Sequence, residues 1–214
     1  MTNAMDPGDR GPAPAARRFR ERRAVDIALL ALAASVLGAC ANVELAVVGD
    51  APRTATCERD GQRFDAIVVW GTRWRPDQKD VRDREAIAAR GIERFFRSTG
   101  CFSTSRVVRD DARIAAFGDP DARTLAAERV PPSARVLAIA VRELGPVLVL
   151  GGTSVVEGGT EVVLDIASHD GASGRRLAAF QARRRHGGAW VVKGVATLED
   201  DLVAALTAAL DPQR

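Results

Sequence analysis

The chain has 214 residues, which is enough for one domain with a proper core and too few for two large ones. Apolar residues make up 46% and charged residues 28%, the ordinary mix of a globular protein. With 31 basic and 28 acidic side chains the net charge is only +3, and acids and bases alternate along most of the sequence. A nucleic-acid binder concentrates its basic residues on one face, so nucleic acid is not an expected partner.

Residues 1–16 are rich in Gly, Pro and Ala, without periodicity, and are expected to be disordered. A basic run follows (Arg17, Arg18, Arg20, Arg22, Arg23), then an apolar stretch from Ile27 to Gly38 that closes on Leu37-Gly38-Ala39-Cys40. Basic, apolar, small is the order of a secretory signal. The apolar stretch is shorter than the ~20 residues a spanning helix needs. Asp26 blocks its extension, and no polar face is interleaved as a buried helix requires. An uncleaved signal anchor stays open as an alternative.

The four residues Leu37, Gly38, Ala39 and Cys40 resemble the lipobox of bacterial lipoproteins. The resemblance implies cleavage between Ala39 and Cys40 and a thioether-linked lipid on Cys40 that holds the chain to a membrane. In the sorting scheme of that family, Asp directly after the Cys retains the protein at the inner membrane. Ala41 stands there instead, so the resemblance implies the outer membrane, facing the periplasm. With Cys40 lipidated, Cys57 and Cys101 form an even pair in an oxidising compartment, and a disulfide between them is expected; two free thiols are the alternative. The only histidines, His169 and His186, lack paired ligand spacing, so no metal or other cofactor is expected.

In the mature chain, residues 40–63 read as a lipid-anchored tether. Within it Val43 to Val48 is an apolar patch, either a strand or a segment near the lipid surface. The globular domain is expected over 64–214. Phe64 to Trp74 reads as a strand ended by Arg75-Pro76-Asp77. Asp80 to Arg97 reads as a helix capped by Asp80, with Ala88, Ile92, Phe95 and Phe96 on its apolar stripe and Gly100 as its stop. Phe102 to Val108 alternates as a strand, and Asp121 to Glu128 reads as a short helix before Pro131-Pro132.

Ala134 to Val141 is a nearly continuous apolar run, expected to be a central strand buried on both faces, and Val147 to Leu150 reads as another strand. Gly151-Gly152 and Gly158-Gly159 bracket a turn-rich excursion. Thr160 to Ser168 and Arg175 to Arg183 form a hairpin about His169-Asp170-Gly171-Ala172-Ser173-Gly174. Thr197 to Leu210 is an amphipathic helix with Leu198, Leu202, Leu206 and Leu210 in line, Thr197 as cap and Asp200 at the capping-box position. The order implies an α/β sandwich: a single mixed sheet with two main helices packed on one face, a late β-hairpin and a C-terminal amphipathic helix.

With the lipobox, the opening strand, the Asp170-Gly171 hairpin and the closing Trp190 to Leu210 segment, the chain is similar to small envelope lipoproteins with a Tol-system-N-terminal-like or curli-export-like α/β domain. These are lipoproteins in the style of lipopolysaccharide-assembly or ABC-transport auxiliary proteins. The resemblance implies a non-catalytic accessory role, binding another envelope protein or lipid. Residue chemistry agrees. Ser154 lacks the Gly-x-Ser-x-Gly elbow, and the glycine pairs lack the Lys of a phosphate loop. Asp110-Asp111 reads as a loop and Glu199-Asp200-Asp201 as a helix start. His169 tops a hairpin and His186 ends the run Arg183 to Arg185, both expected to be solvated. No catalytic residue is assigned, and an envelope hydrolase with an unrecognised site stays the alternative. Trp70 and Trp74 share a strand face. Trp70 is assigned to the core, and Trp74, flanked by Arg73 and Arg75, is a candidate partner contact.

Overall fold

The computed structural model describes residues 42–52, 55–59, 61–115, 130–150, 156–189, 191 and 193–212. The lipobox and the Asp121 to Glu128 segment lie outside these residues. Eight strands, three α-helices and one 3-10 turn are described. They are β1 (Asn42–Asp50), β2 (Glu58–Arg59), β3 (Gln62–Arg63), β4 (Asp65–Thr72), α1 (Val81–Ser98), β5 (Ser105–Arg109), α2 (Asp111–Ala115), β6 (Ala134–Leu150), β7 (Val156–Asp170) and β8 (Arg176–Ala189). A 3-10 turn (Val195–Thr197) then leads into α3 (Leu198–Leu210).

Six strands form one mixed sheet in the order β1-β8-β7-β6-β4-β5; β2 and β3 pair separately. β4 runs parallel to both β5 and β6, and the other pairs are antiparallel. The two main helices, α1 and α3, share one face of the sheet. Between them lies the main core, where Leu137, Ile139, Leu164 and Ile166 of the sheet meet Ile92 and Phe95 of α1 and the four α3 leucines, all fully buried. Burying each such side chain contributes about 1.5–3 kcal/mol. The opposite face carries a smaller cluster of Val69, Ala138, Ala140 and Ala167, covered by Ile114 of α2. This is the expected sandwich with its late hairpin and closing helix.

Several boundaries differ from the sequence reading. The 40–63 segment is not a tether throughout, because β1 pairs with β8 over its whole length, from Asn42 opposite Gly187 to Asp50 opposite Ala179. The alternation Val43, Leu45, Val47 matches the strand period and supplies the ladder that β8 would otherwise lack. The expected strands at 134–141 and 147–150 are one 17-residue strand, β6. Pro146 is tolerated inside it because β4 ends at Thr72, opposite Val141, leaving β6 open on that side.

Gly158 and Gly159 belong to β7. A Cβ on Gly159 would lie 2.5 Å from the His186 carbonyl and 2.7 Å from the Gly187 Cα, so the strands meet closely there. Neither predicted helix cap forms. Asp80 sits at φ 53 with no side-chain cap bond. Thr197 turns its hydroxyl to the Gly194 carbonyl at 3.3 Å as α3 is entered through the 3-10 turn. Asp111, read as loop, opens α2, where its carboxylate accepts bonds from the Thr72 backbone at 2.8 Å and Arg109 Nε at 2.9 Å.

Candidate functional site

The first turn of α3 lies over β7 and β8 and brings together the densest buried polar cluster among the described residues. Parity explains its makeup. On β8, Ala178, Phe180 and Ala182 face the helices, so Arg184 and His186 do too; on β7, Thr160 joins them beyond Val162. On α3, Asp201 follows Leu198 by three residues and so shares the buried stripe.

Asp201 is 4% exposed. Its carboxylate accepts the Thr160 hydroxyl at 2.6 Å and Arg184 Nη1 at 2.9 Å, and it lies 2.8 Å from His186 Nδ1. Lys193 Nζ stands 2.5 Å from His186 Nδ1, 3.1 Å from its Nε2 and 3.9 Å from Asp201 Oδ1. Burial works to raise the Asp201 carboxyl, but the bonds from Thr160, His186 and Arg184 outweigh it, and the group titrates below its ordinary value. An Asp–His contact invites comparison with a nucleophilic triad, which needs a hydroxyl or thiol at the far imidazole nitrogen. Here the Lys193 ammonium stands against both ring nitrogens, closer to Nδ1, while the Thr160 hydroxyl is bound to the carboxylate. The arrangement neutralises a buried anion and ties α3 to the sheet.

His186 is therefore not a solvated residue closing a basic run, and His169, in β7, is 2% exposed. Sequence reasoning missed this cluster. The signal available was the strict alternation of β8, which, carried four residues past Ala182, turns Arg184 and His186 inward.

A second buried pair lies where β6 bulges between Val141 and Glu143. Arg84 of α1 and Glu143 are 8% and 5% exposed. Arg84 Nη1 donates to the Leu144 carbonyl and lies 3.5 Å from Glu143 Oε1, while Arg75 Nη2 reaches Glu143 Oε2 at 2.5 Å. Gly145 makes room, since a Cβ there would overlap Arg84 Nη1 at 1.7 Å.

This places the sequence-predicted contact residues. Trp70 is core, 3% exposed, with the Arg109 guanidinium 5.3 Å from its ring. Trp74 lies past the end of β4, half-buried against the main core. Arg73 is half-buried, its backbone N–H bonded to the Val141 carbonyl at 2.9 Å, and Arg75 is exposed. The three form a strip over the β6 bulge.

At the opposite end of the sheet, Cys57 and Cys101 form the expected disulfide, with Cα atoms 5.4 Å apart. Asp211 lies beside them, but sulfurs bonded to each other are not free to ligate a metal. Nearby is a cleft of about 220 Å³ lined by Thr56, Phe64, Arg135, Ser168 and Leu177, among others. Arg135 stacks 3.8 Å over the Phe64 ring and bonds Asp170 at 2.8 Å.

No protein-family model matches the chain, and no curated protein matches it significantly. Solved structures resemble it distantly. The PelC dodecamer from Paraburkholderia phytofirmans is 15% identical, over 79% of this chain and 99% of that one, with a TM-score of 0.38. A lipoprotein from Neisseria meningitidis is 17% identical, over 67% and 95%, with a TM-score of 0.31. A protein from Xanthomonas campestris is 13% identical, over 77% and 90%, with a TM-score of 0.34. Values this low describe broad likeness of form and say nothing of function.

Proposed function

We propose that the chain is a lipid-anchored accessory protein of the bacterial envelope, held at the outer membrane by Cys40, facing the periplasm and acting by binding another envelope component. One observation carries this reading. Of the three cysteines, two are tied to each other in the fold, and the third, Cys40, stands alone at the fourth position of the lipobox. A disulfide is at home in an exported protein and rare in a reducing cytosol. No helix of the described residues is long and apolar enough to cross a membrane, so in this reading attachment falls to the Cys40 thioether. The Arg73 to Arg75 strip is the proposed partner contact, since an exposed Arg beside a half-buried Trp has the makings of an interface anchor.

The test is Cys40→Ser in the native host. The wild-type chain is expected to lose residues 1–39, gain the mass of a lipid adduct and follow the outer membrane on a density gradient. The variant is expected to stay unprocessed and unlipidated. Unchanged processing and partition in the variant would overturn the reading.

A further inference from the structure

The long strands run on past β4. Beyond Thr72, level with Val141, the sheet continues as β6, β7 and β8, with β1 along the outer side. One register row crosses this extension: Val147 opposite Gly159, Gly159 opposite Gly187, and Gly187 opposite Asn42. Leu148 is one step farther out, opposite Gly158, which itself faces Gly188. Neither row carries a charged residue; the next row outward brings Glu157 opposite Val149 and Ala189. Only Ala41 separates Asn42 from Cys40, and two trans peptide steps keep the Cys40 Cα within about 8 Å of the Asn42 Cα. Across the strand intervals from β1 to β6, at about 4.8 Å each, Leu148 lies roughly 15 Å to the side of Asn42.

The residues that lead into α3 come to the same end. A Cβ on Gly158 would meet the Val191 carbonyl at 2.0 Å and Leu148 Cδ1 at 3.7 Å, so Val191 packs over the extension beside Leu148. Lys193 reaches His186, which lies opposite Val43, and Val195 follows two residues later. α3 then runs away from this end, and its last carbonyl, on Leu210, accepts the Thr56 N–H at 2.8 Å beside the disulfide. Three large apolar side chains stay in water at the end where the chain leaves for Cys40: Val43 at 57%, Leu148 at 63% and Val195 at 54% exposed.

We propose that this end of the sheet rests in the interfacial layer of the bilayer that holds Cys40, with Val43, Leu148 and Val195 entering the lipid, an inference that rests on the lipoprotein reading above. The occupant of the apolar end is a lipid surface. Cys40 is fixed to that surface, and the chain between them is too short to hold the end away from it. The domain is thereby oriented, its disulfide end pointing away from the membrane, and does not swing on a free leash. Apolar contact beside an acyl anchor is also the second attachment that lipid-modified proteins use for stable binding.

The experiment takes the lipidated mature chain in vesicles of phosphatidylethanolamine and phosphatidylglycerol and compares Leu148→Cys with Leu177→Cys. Leu177 is the control, an exposed leucine of the cleft near the disulfide. Each new thiol is unique, because Cys40 is a thioether and the other two are joined. Each carries an environment-sensitive fluorophore, with brominated acyl chains as quencher. The label at 148 is expected to shift to the blue and lose roughly half of its emission or more, as for a group buried about 5–10 Å into the interface. The label at 177 is expected to stay unquenched. Vesicle-bound protein with neither label quenched overturns the proposal and leaves the lipoprotein reading standing; both labels quenched describes a molecule lying flat and overturns it too. A chain recovered without a lipid adduct on Cys40 overturns both.

Discussion

Replacing Asp201 by Ala removes the anion at the centre of the α3–sheet contact. The bond from the Thr160 hydroxyl, the bond from Arg184 and the contact with His186 go together, and Arg184, 9% exposed, keeps its charge without its partner. Lys193 stands close by as a second cation, so the loss leaves like charges facing each other in a poorly hydrated site. Breaking a buried pair from one side typically costs about 3–5 kcal/mol, most of it from the stranded charge. Against a total stability of about 5–15 kcal/mol that is a large fraction. Arg184→Met should cost less, because Asp201 retains Thr160 and His186. The double variant Asp201→Leu with Arg184→Met strands neither charge, and should recover part of the loss, giving a coupling of about 1–3 kcal/mol. Urea denaturation of the oxidised protein, followed by circular dichroism, measures all three. A cost for Asp201→Ala below about 1 kcal/mol, the worth of a solvent-exposed pair, would refute the reasoning.

Reducing the Cys57–Cys101 bond, which closes a loop of 44 residues' separation, should lower stability by about 4 kcal/mol in the chain-entropy account; identical urea midpoints with and without reductant would count against it. Gly91→Ala gains about 1 kcal/mol of helix propensity, but its Cβ would lie 2.8 Å from Leu202 Cδ2, in a fully buried side chain. Overpacking costs about 1–3 kcal/mol, so a net loss is expected, and a raised melting temperature would show that Leu202 can give way. Asp201, Asp111 and Asp170 titrate below the ordinary 3.8 when folded, for Asp170 chiefly through the Ser173 backbone N–H. Their stabilisation is present above the unfolded value and disappears as pH falls through the folded ones. Thermal midpoints should therefore hold down to about pH 4 and drop below it, with a shallower drop in Asp201→Asn; a fall already complete at pH 5 would contradict this.

Local pattern was enough wherever burial follows sequence period. The four leucines of α3 and the Ile92 and Phe95 stripe of α1 lie in the core they implied, and the apolar run opening β6 is buried on both faces, Leu137, Ile139 and Val141 on one and Ala138 and Ala140 on the other. What the pattern could not show is which strand a segment meets. Val43, Leu45 and Val47 alternate as a strand should, yet only the arrival of β8 from the far end of the chain gives them a partner. The polar cluster failed for a related reason. Arg183 to His186 reads as a hydrophilic strand end, and the residues that make Arg184 and His186 affordable inside, Thr160 and Asp201, come from two other elements. Asp80 has the residue type of a helix cap, but at φ 53 its backbone is outside the extended geometry that aims a cap side chain at the helix. Trp74 has the spacing to share a strand face with Trp70, but β4 ends two residues before it.

The two edges of the sheet are defended unequally. β5 is five residues long and carries Arg106 and Arg109, the short, charged form that discourages pairing with another chain. β1 is nine residues long, is exposed throughout, and offers Val43, Leu45, Val47 and Val48 to solvent with Glu44 and Asp50 as its only charges. A long apolar edge is an invitation to aggregate in a protein that diffuses freely. Under the proposed attachment through Cys40, two residues before the strand, it would be less of one, because a chain held against a bilayer would present the start of its edge to lipid and not to other chains. On this argument β1 is not a badly finished strand. Its sequence suits the place where Cys40 would hold it.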